Sequence, residues 1–440
     1  MTTSRRALIG GSLGGGALLL AGCQDDDSPA GPRAQPASSA STGSGTAPPG
    51  ADLAVPDFDP EDWDSVRAQF PLDASVAQFA AFVLSPHTAQ VDAAIDHHRR
   101  RLAFDTEAAL LTGIEQEERV IVAAAAYTGG TPAQFALTDS TTMGIATMYG
   151  GLTLKPGDDL LSTTHDFYST QASLRLLERR TGAKVRRVTL YDDPAIVGVD
   201  SLVGRLVRAI TPRTRVVAIT WVHSSTGVRM PVTEIGAAIA DLNRRRERPD
   251  QIVLCVDGVH GFAVVDVDLP DLGCDFLATG THKWLFGPRG TGLVWSRDWG
   301  HLTEIIPSFS GPDGGRRLTP GGYHDFEHRW ALAEAFAFHE RIGRSRVVAR
   351  TVEQATRLKA GIAAIDGLRL VTPSSPEVSA GIVCVEVPSM LPGDAVARLR
   401  ERGVVASATP YDPSYLRLGP SIVTTPDEVD RAVEAMSFLA

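Results

Sequence analysis

Cysteine is scarce in this chain: four residues in 440, at positions 23, 255, 274 and 384. An odd number remains after Cys23 and no pair has close metal-ligand spacing, which argues against a disulfide framework and against a zinc site. Cys255 and Cys384 stand in apolar, strand-like runs (IVLCVD and GIVCVEV) and read as buried thiols. A long Lys/Arg run is also missing, and with a net charge of −10 this argues against nucleic acid as a partner. The chain has no internal repeats. Its N-terminal apolar segment, closing at Ala21, is too short to span a bilayer and has the length of an export-signal core.

What is present is ordinary for a large globular protein: 43% apolar and 21% charged residues over a length that suggests two to three domains. Ser4-Arg5-Arg6-Ala7-Leu8-Ile9 is a twin-arginine start, and Leu20-Ala21-Gly22-Cys23 resembles a bacterial lipobox, in which cleavage before the cysteine leaves Cys23 lipidated. Residues 1–22 are therefore expected to direct export. The Ser/Pro/Gly/Ala-rich stretch 23–55 is expected to act as a tether that cannot bury enough surface to fold. This implies a periplasmic or cell-surface protein whose only membrane contact is a lipid anchor.

From about residue 100, short β-rich runs alternate with amphipathic ones. Leu160–Thr164, Lys184–Leu190, Arg215–Val222, Ile252–Val256, Asp275–Thr279 and Thr291–Ser296 read as strands, and Thr233–Arg246 as a helix. Such alternation implies an α/β fold with a mostly parallel sheet between helices, Thr291–Ser296 being a candidate antiparallel exception. Residues 101–334 form the expected large domain and 335–440 a smaller α+β domain, with 56–100 packing beside the latter. Thr425-Pro-Asp-Glu428 has the cap, first-turn Pro and capping-box Glu of a helix start.

Several polar residues fall at strand ends, where α/β sheets bind ligands: His165, Ser224, Asp257 and, shortly after its strand, Lys283. Asp257 closes an apolar run, and Lys283 follows twenty-six positions later in Thr-His-Lys-Trp-Leu-Phe-Gly-Pro-Arg-Gly-Thr-Gly. This layout suits pyridoxal phosphate (PLP): the lysine forms a Schiff base, and the acid keeps the pyridine nitrogen protonated. Alternatively, Asp257 is a turn former before Gly258 and Lys283 a surface lysine. His260 either hydrogen-bonds near the cofactor's phenolic oxygen or is an ordinary loop residue, and His282 flanks the lysine. Thr141 and Thr142, leading into a helix, are placed to hold phosphate at its N-terminus, or simply to cap it.

On these residues the chain resembles the class-V aminotransferases of PLP fold type I, the superfamily of isopenicillin N epimerase-like enzymes and cysteine desulfurases. The resemblance covers about residues 65–440 and is carried by Asp257-Gly-x-His, Thr281-His-Lys-Trp with its Gly-rich tail, and Tyr415-Leu-Arg-Leu-Gly-Pro-Ser followed by Thr-Thr-Pro-Asp-Glu-Val-Asp430. It implies a sheet of the seven-stranded type, a ring-stacking role for His165, phosphate contacts from Thr141 and Thr142, and a substrate α-carboxylate held by Arg417. It also implies a homodimer and a small amino-acid-like substrate, with Asp257 and Lys283 as the central chemical pair.

The chain departs from that pattern in three places. Ser224 stands where many relatives have Asn, Ala406–Pro413 lacks the desulfurase nucleophilic cysteine, and Tyr323–His328 replaces a Gly-Thr element that reaches the partner subunit's phosphate. Thr163–Thr170 and Phe326-Glu-His resemble the epimerase-like branch. The expected function is therefore epimerase-like chemistry at Cα. A carbon–sulfur β-lyase or an aminotransferase is the alternative, and a tethered binding protein without catalysis a further one.

Overall fold

The computed structural model describes residues 54–440. The expected signal, Cys23 and the tether as far as residue 53 lie outside the described residues. Among these residues no helix is long and apolar enough to cross a membrane.

Seven strands form the central sheet, in the spatial order Phe135–Thr138, Gly292–Ser296, Phe276–Gly280, Val253–Asp257, Thr214–Thr220, Asp159–Thr163 and Lys184–Val188. Gly292–Ser296 runs antiparallel to both its neighbours, and every other pairing is parallel. The central strands are buried on both faces, which is why they read as continuous Val/Leu/Ile/Ala runs rather than alternating ones. The outer strand Lys184–Val188 is the exception: its sequence KVRRV puts charge on an exposed edge and discourages pairing with another chain. The opposite edge, Phe135–Thr138, is fully buried and covered by the 3-10 turn Gly314–Leu318, with Thr319 Oγ1 accepting the Leu137 N–H at 3.0 Å.

The mostly parallel architecture expected from sequence is present, including the antiparallel Gly292–Ser296 strand. Strand ends differ by a residue or two, for local reasons. Lys184–Val188 stops short of Leu190 because the Leu190 N–H donates to His165 Nε2 at 3.2 Å. The Thr214–Thr220 ladder ends before Val222, which instead bridges Arg229 across a turn. Phe135–Thr138 is a strand with little signal of its own in the sequence, since its four residues lead directly into helix Thr141–Gly151.

A second, antiparallel sheet lies toward the C-terminus in the order Ser407–Ala408, Leu416–Leu418, Val383–Glu386, Arg369–Leu370. Its own core includes Leu358, Val383, Leu399, Leu416, Val429 and Met436, drawn from this sheet and from helices Arg344–Ala363, Pro392–Glu401 and Pro426–Ser437. Ala77–Gln78 pairs in parallel with Val404–Val405, and Phe79 enters the same core. The last helix starts at the Thr425–Glu428 capping box, with reciprocal bonds of 3.2 and 2.9 Å.

Candidate active site

The carboxyl ends of the parallel strands open on a cavity of about 270 Å³. Each wall follows from a local feature of the chain. Asp257 is the last residue of its strand, where the main chain turns away at Gly258. Lys283 lies in the loop between Phe276–Gly280 and Gly292–Ser296. That loop turns back through Phe286, a buried residue with φ of 58°, a left-handed conformation costly for a side chain of this size. Thr141 opens helix Thr141–Gly151, capped by Ser140, whose Oγ accepts the Met143 N–H at 3.1 Å. Arg417 comes from the second sheet and Phe82 from the N-terminal segment.

Of the residues expected from sequence, the cavity gathers Asp257, Lys283, Arg417, His260, His282, Thr141, Thr142 and Ser224. His165 does not border it. Its ring lies flat on Tyr191, centroids 3.8 Å apart and planes within 9°, and burial pushes it down to about 3, so it is neutral. Cys23 lies outside the described residues. Sequence reasoning missed Phe82, Val83, Phe167, Ser169, Thr220 and Pro410, which with Ser140 and Val259 complete the lining.

Electrostatically the cavity is a buried acid facing one buried cation, Arg417, and one half-buried cation, Lys283. Asp257 is 1% exposed and accepts the Val259 N–H at 3.2 Å. Burial raises it to about 7, with the Val259 bond and Lys283 opposing. Burial also lowers Lys283 to about 8, helped by the positive charge of Arg417 and resisted by Asp257. The Lys283 ammonium meets the main-chain carbonyls of Phe82 and Val83 at 3.4 and 3.5 Å.

Arg417 donates to the Ser224 carbonyl at 3.1 Å and to Ser407 Oγ at 3.2 Å, with its guanidinium 4.9 Å from the centre of the Phe82 ring. Neither cation forms a salt bridge among the described residues. His260 takes the Trp284 indole N–H at 3.3 Å, and burial, then Lys283 and Arg417, hold it well below the usual histidine range. Ser224 Oγ is already engaged with the Tyr411 hydroxyl at 2.8 Å.

One end of the cavity suits a phosphate. Thr141 Oγ1 is buried without a hydrogen-bond partner beside the N–H groups that open an eleven-residue helix. Thr220 Oγ1 is buried and unpartnered as well. A Cβ at Gly280 would stand 2.9 Å from both Thr141 Oγ1 and His282 Cε1, so only glycine leaves this end open. The other walls offer an acid, an amine and a guanidinium. These are the groups a phosphorylated pyridine aldehyde and an amino-acid carboxylate require, so the residues fit PLP.

Asp166, also overlooked in the sequence, ties two strand ends together behind the cavity. Its carboxylate accepts from Ser162 Oγ at 2.8 Å, the Thr163 N–H at 2.7 Å and the Thr220 N–H at 2.8 Å. Only the short spacing Ser162–Asp166 hinted at this.

A mostly parallel α/β sheet with this cavity at its strand ends is the architecture of PLP fold type I. The chain belongs to the class-V aminotransferase family, whose model matches residues 124–410. The isopenicillin N epimerase of Streptomyces clavuligerus is 27% identical over 415 residues, covering 86% of this chain and 98% of that one. A probable cysteine desulfurase of Xylella fastidiosa (strain 9a5c) is 27% identical over 338 residues, covering 70% of this chain and 77% of that one. Among solved structures, a lysine-to-alanine mutant of C-DES with glycine covalently linked to its PLP cofactor superposes with a TM-score of 0.77. It is 21% identical, and the match covers 84% of this chain and 98% of that one.

Proposed function

We propose that this chain is an exported, PLP-dependent, isopenicillin N epimerase-like enzyme acting at Cα of an amino acid or small peptide. One observation carries the reading: Lys283 and Arg417, two mostly buried cations without acidic partners among the described residues, share one cavity with buried Asp257. An unpaired buried charge is costly unless a ligand completes it. When bound, PLP supplies an electron sink for the charge left at Cα when a bond there breaks.

Thr141, Thr142 and the N–H groups of their helix would hold its phosphate, Asp257 its ring nitrogen, and Lys283 its carbonyl carbon. Arg417 presents a planar fork to the substrate carboxylate and so orients Cα, a geometry lysine cannot reproduce. Lys283, titrating near 8, has a neutral fraction at physiological pH and takes the Cα proton. Delivery of a proton from solvent to the opposite face, with Lys283 releasing the proton it took back to solvent, would invert the centre. His260 and His282, both shifted down by burial, stay neutral and hydrogen-bond without adding positive charge.

The epimerase-like reading is supported by similarity across nearly the whole Streptomyces clavuligerus enzyme. A β-lyase or an aminotransferase would use the same groups. Desulfuration through an enzyme cysteine has no support: Cys255, Cys274 and Cys384 are all buried, and Pro410 rather than cysteine borders the cavity from segment 406–413. Incubation of candidate amino acids in D2O separates the outcomes. The expected result is Cα deuteration without keto acid, sulfide or ammonia. Keto-acid release without ammonia or sulfide would make it an aminotransferase, release of ammonia or sulfide (with the keto acid that β-elimination also gives) a lyase, and no exchange with any candidate would favour the binding-protein reading.

The proposal includes lipid attachment at Cys23, which Cys23→Ala should abolish, moving the protein from the membrane to the soluble fraction. It also includes a homodimer. The large exposed apolar side chains Tyr168, Phe309 and Tyr323 support that assembly, and light scattering measures it.

A further inference from the structure

The loop after strand Asp159–Thr163 carries two rings, and the structure uses them differently. His165 is committed away from the cavity. Its Nε2 accepts the Leu190 N–H at 3.2 Å, which puts the ring proton on Nδ1, and its face is covered by Tyr191 at 3.8 Å. Tyr191 is itself buried and fixed, its hydroxyl 2.8 Å from His223 Nδ1 and 2.9 Å from Thr226 Oγ1. Swinging His165 into the cavity would break both the bond and the stack. The loop between the two rings is rigid because Asp166 accepts three hydrogen bonds.

Phe167, two residues on, borders the cavity. Its backbone is extended, at φ −65° and ψ 153°, immediately before helix Tyr168–Thr181. Tyr411 meets its ring edge-on at 5.9 Å, and Tyr168 packs at 4.3 Å. Among the described residues that border the cavity, Phe82 is the other aromatic ring apart from the two imidazoles, and it is occupied by Trp284 and the Arg417 guanidinium.

We infer that Phe167, and not His165, is the aromatic side chain that packs against the cofactor ring. This rests on the PLP reading above. A hydrocarbon ring contributes dispersion and apolar burial but neither donates nor carries a proton. The contact therefore fixes the cofactor's tilt without taking part in proton transfer, while His165 serves the end of strand Lys184–Val188.

The test is PLP affinity of the cofactor-free full chain, read by equilibrium dialysis and by quenching of protein fluorescence. Loss of one aromatic stack predicts that Phe167→Ala weakens PLP binding about three- to tenfold. Phe167→Leu, which keeps bulk without the ring, should weaken it similarly, and Phe167→Tyr should restore it to within about twofold. His165→Ala should leave affinity within about twofold but lower the thermal midpoint, because it removes the Leu190 bond and the Tyr191 stack. Circular dichroism checks folding, and the Leu and Tyr variants carry the test if the Ala variant does not fold. Unchanged affinity in Phe167→Leu, or a loss in His165→Ala as large as in Phe167→Leu, would overturn the inference alone. Failure of the unmodified chain to take up PLP would overturn the cofactor reading and this inference with it.

Discussion

Replacing Asp257 by Asn should flatten the pH dependence of stability in the cofactor-free protein. Burial raises this carboxyl from 3.8 to about 7, so between those values the folded state holds a proton that the unfolded state has released. Stability therefore falls as pH rises through this window, and the loss is complete above the folded value. With roughly 1.4 kcal/mol per unit, the Asp257 contribution changes by about 2 to 3 kcal/mol between pH 5 and pH 8. Asparagine has nearly the same shape, can still accept the Val259 N–H, and does not titrate. Urea unfolding of both proteins at pH 5, 6, 7 and 8 gives the difference directly, with common contributions from other groups cancelling. The Asn variant should gain about 2 to 3 kcal/mol on the parent across the series. Saturating PLP should flatten the parent's trend, since a ring nitrogen that pairs with the carboxylate favours its charged form and removes the raised folded value. A difference that stays constant over this range would mean that Asp257 titrates as an ordinary surface acid, and the electrostatic argument for the site would fail.

Two other substitutions probe the remaining walls. Arg417→Lys removes the two-pronged grip and the bonds to Ser224 and Ser407. It should cost about 2 kcal/mol in substrate binding, roughly thirtyfold in KM, with a smaller change in kcat; an unchanged KM would remove Arg417 from the substrate site. Gly280→Ala pushes a methyl to 2.9 Å from Thr141 Oγ1 and His282 Cε1. The expected result is PLP affinity at least about tenfold weaker with the fold retained, measured by dialysis; full affinity would show that the phosphate lies elsewhere.

How much of this was legible in the sequence depended on the kind of signal. The strands from Asp159 to Ser296 stood out because a buried parallel sheet needs uninterrupted β-branched and leucine runs, and the Asp257–Lys283 pair stood out because acid and lysine are conspicuous at strand ends. Phe82 and Phe167 did not, since an aromatic residue facing a ligand has the same sequence signature as one facing the core. His165 was misleading for the opposite reason. A strand-end histidine suggests cofactor contact, and only the structure shows it committed to Tyr191 and the Leu190 N–H. Arg417 was assigned by resemblance alone; its environment depends on Phe82, Ser224 and Ser407, which are far apart in the chain and which no local pattern connects.

The central claim is that Lys283 carries the cofactor, and the composition of the chain makes that directly measurable. Only four lysines exist: Lys155, Lys184, Lys283 and Lys359. Lys155 and Lys184 are exposed, and Lys359 is buried with its ammonium donating to two carbonyls and Ser379 at 2.7 to 3.1 Å. The measurement is borohydride reduction of the PLP-loaded full chain followed by peptide mass spectrometry. The expected result is one pyridoxyl group on the Lys283 peptide, with the visible absorbance band absent in Lys283→Ala. An adduct on another lysine, or a protein that gains neither band nor adduct, would contradict it.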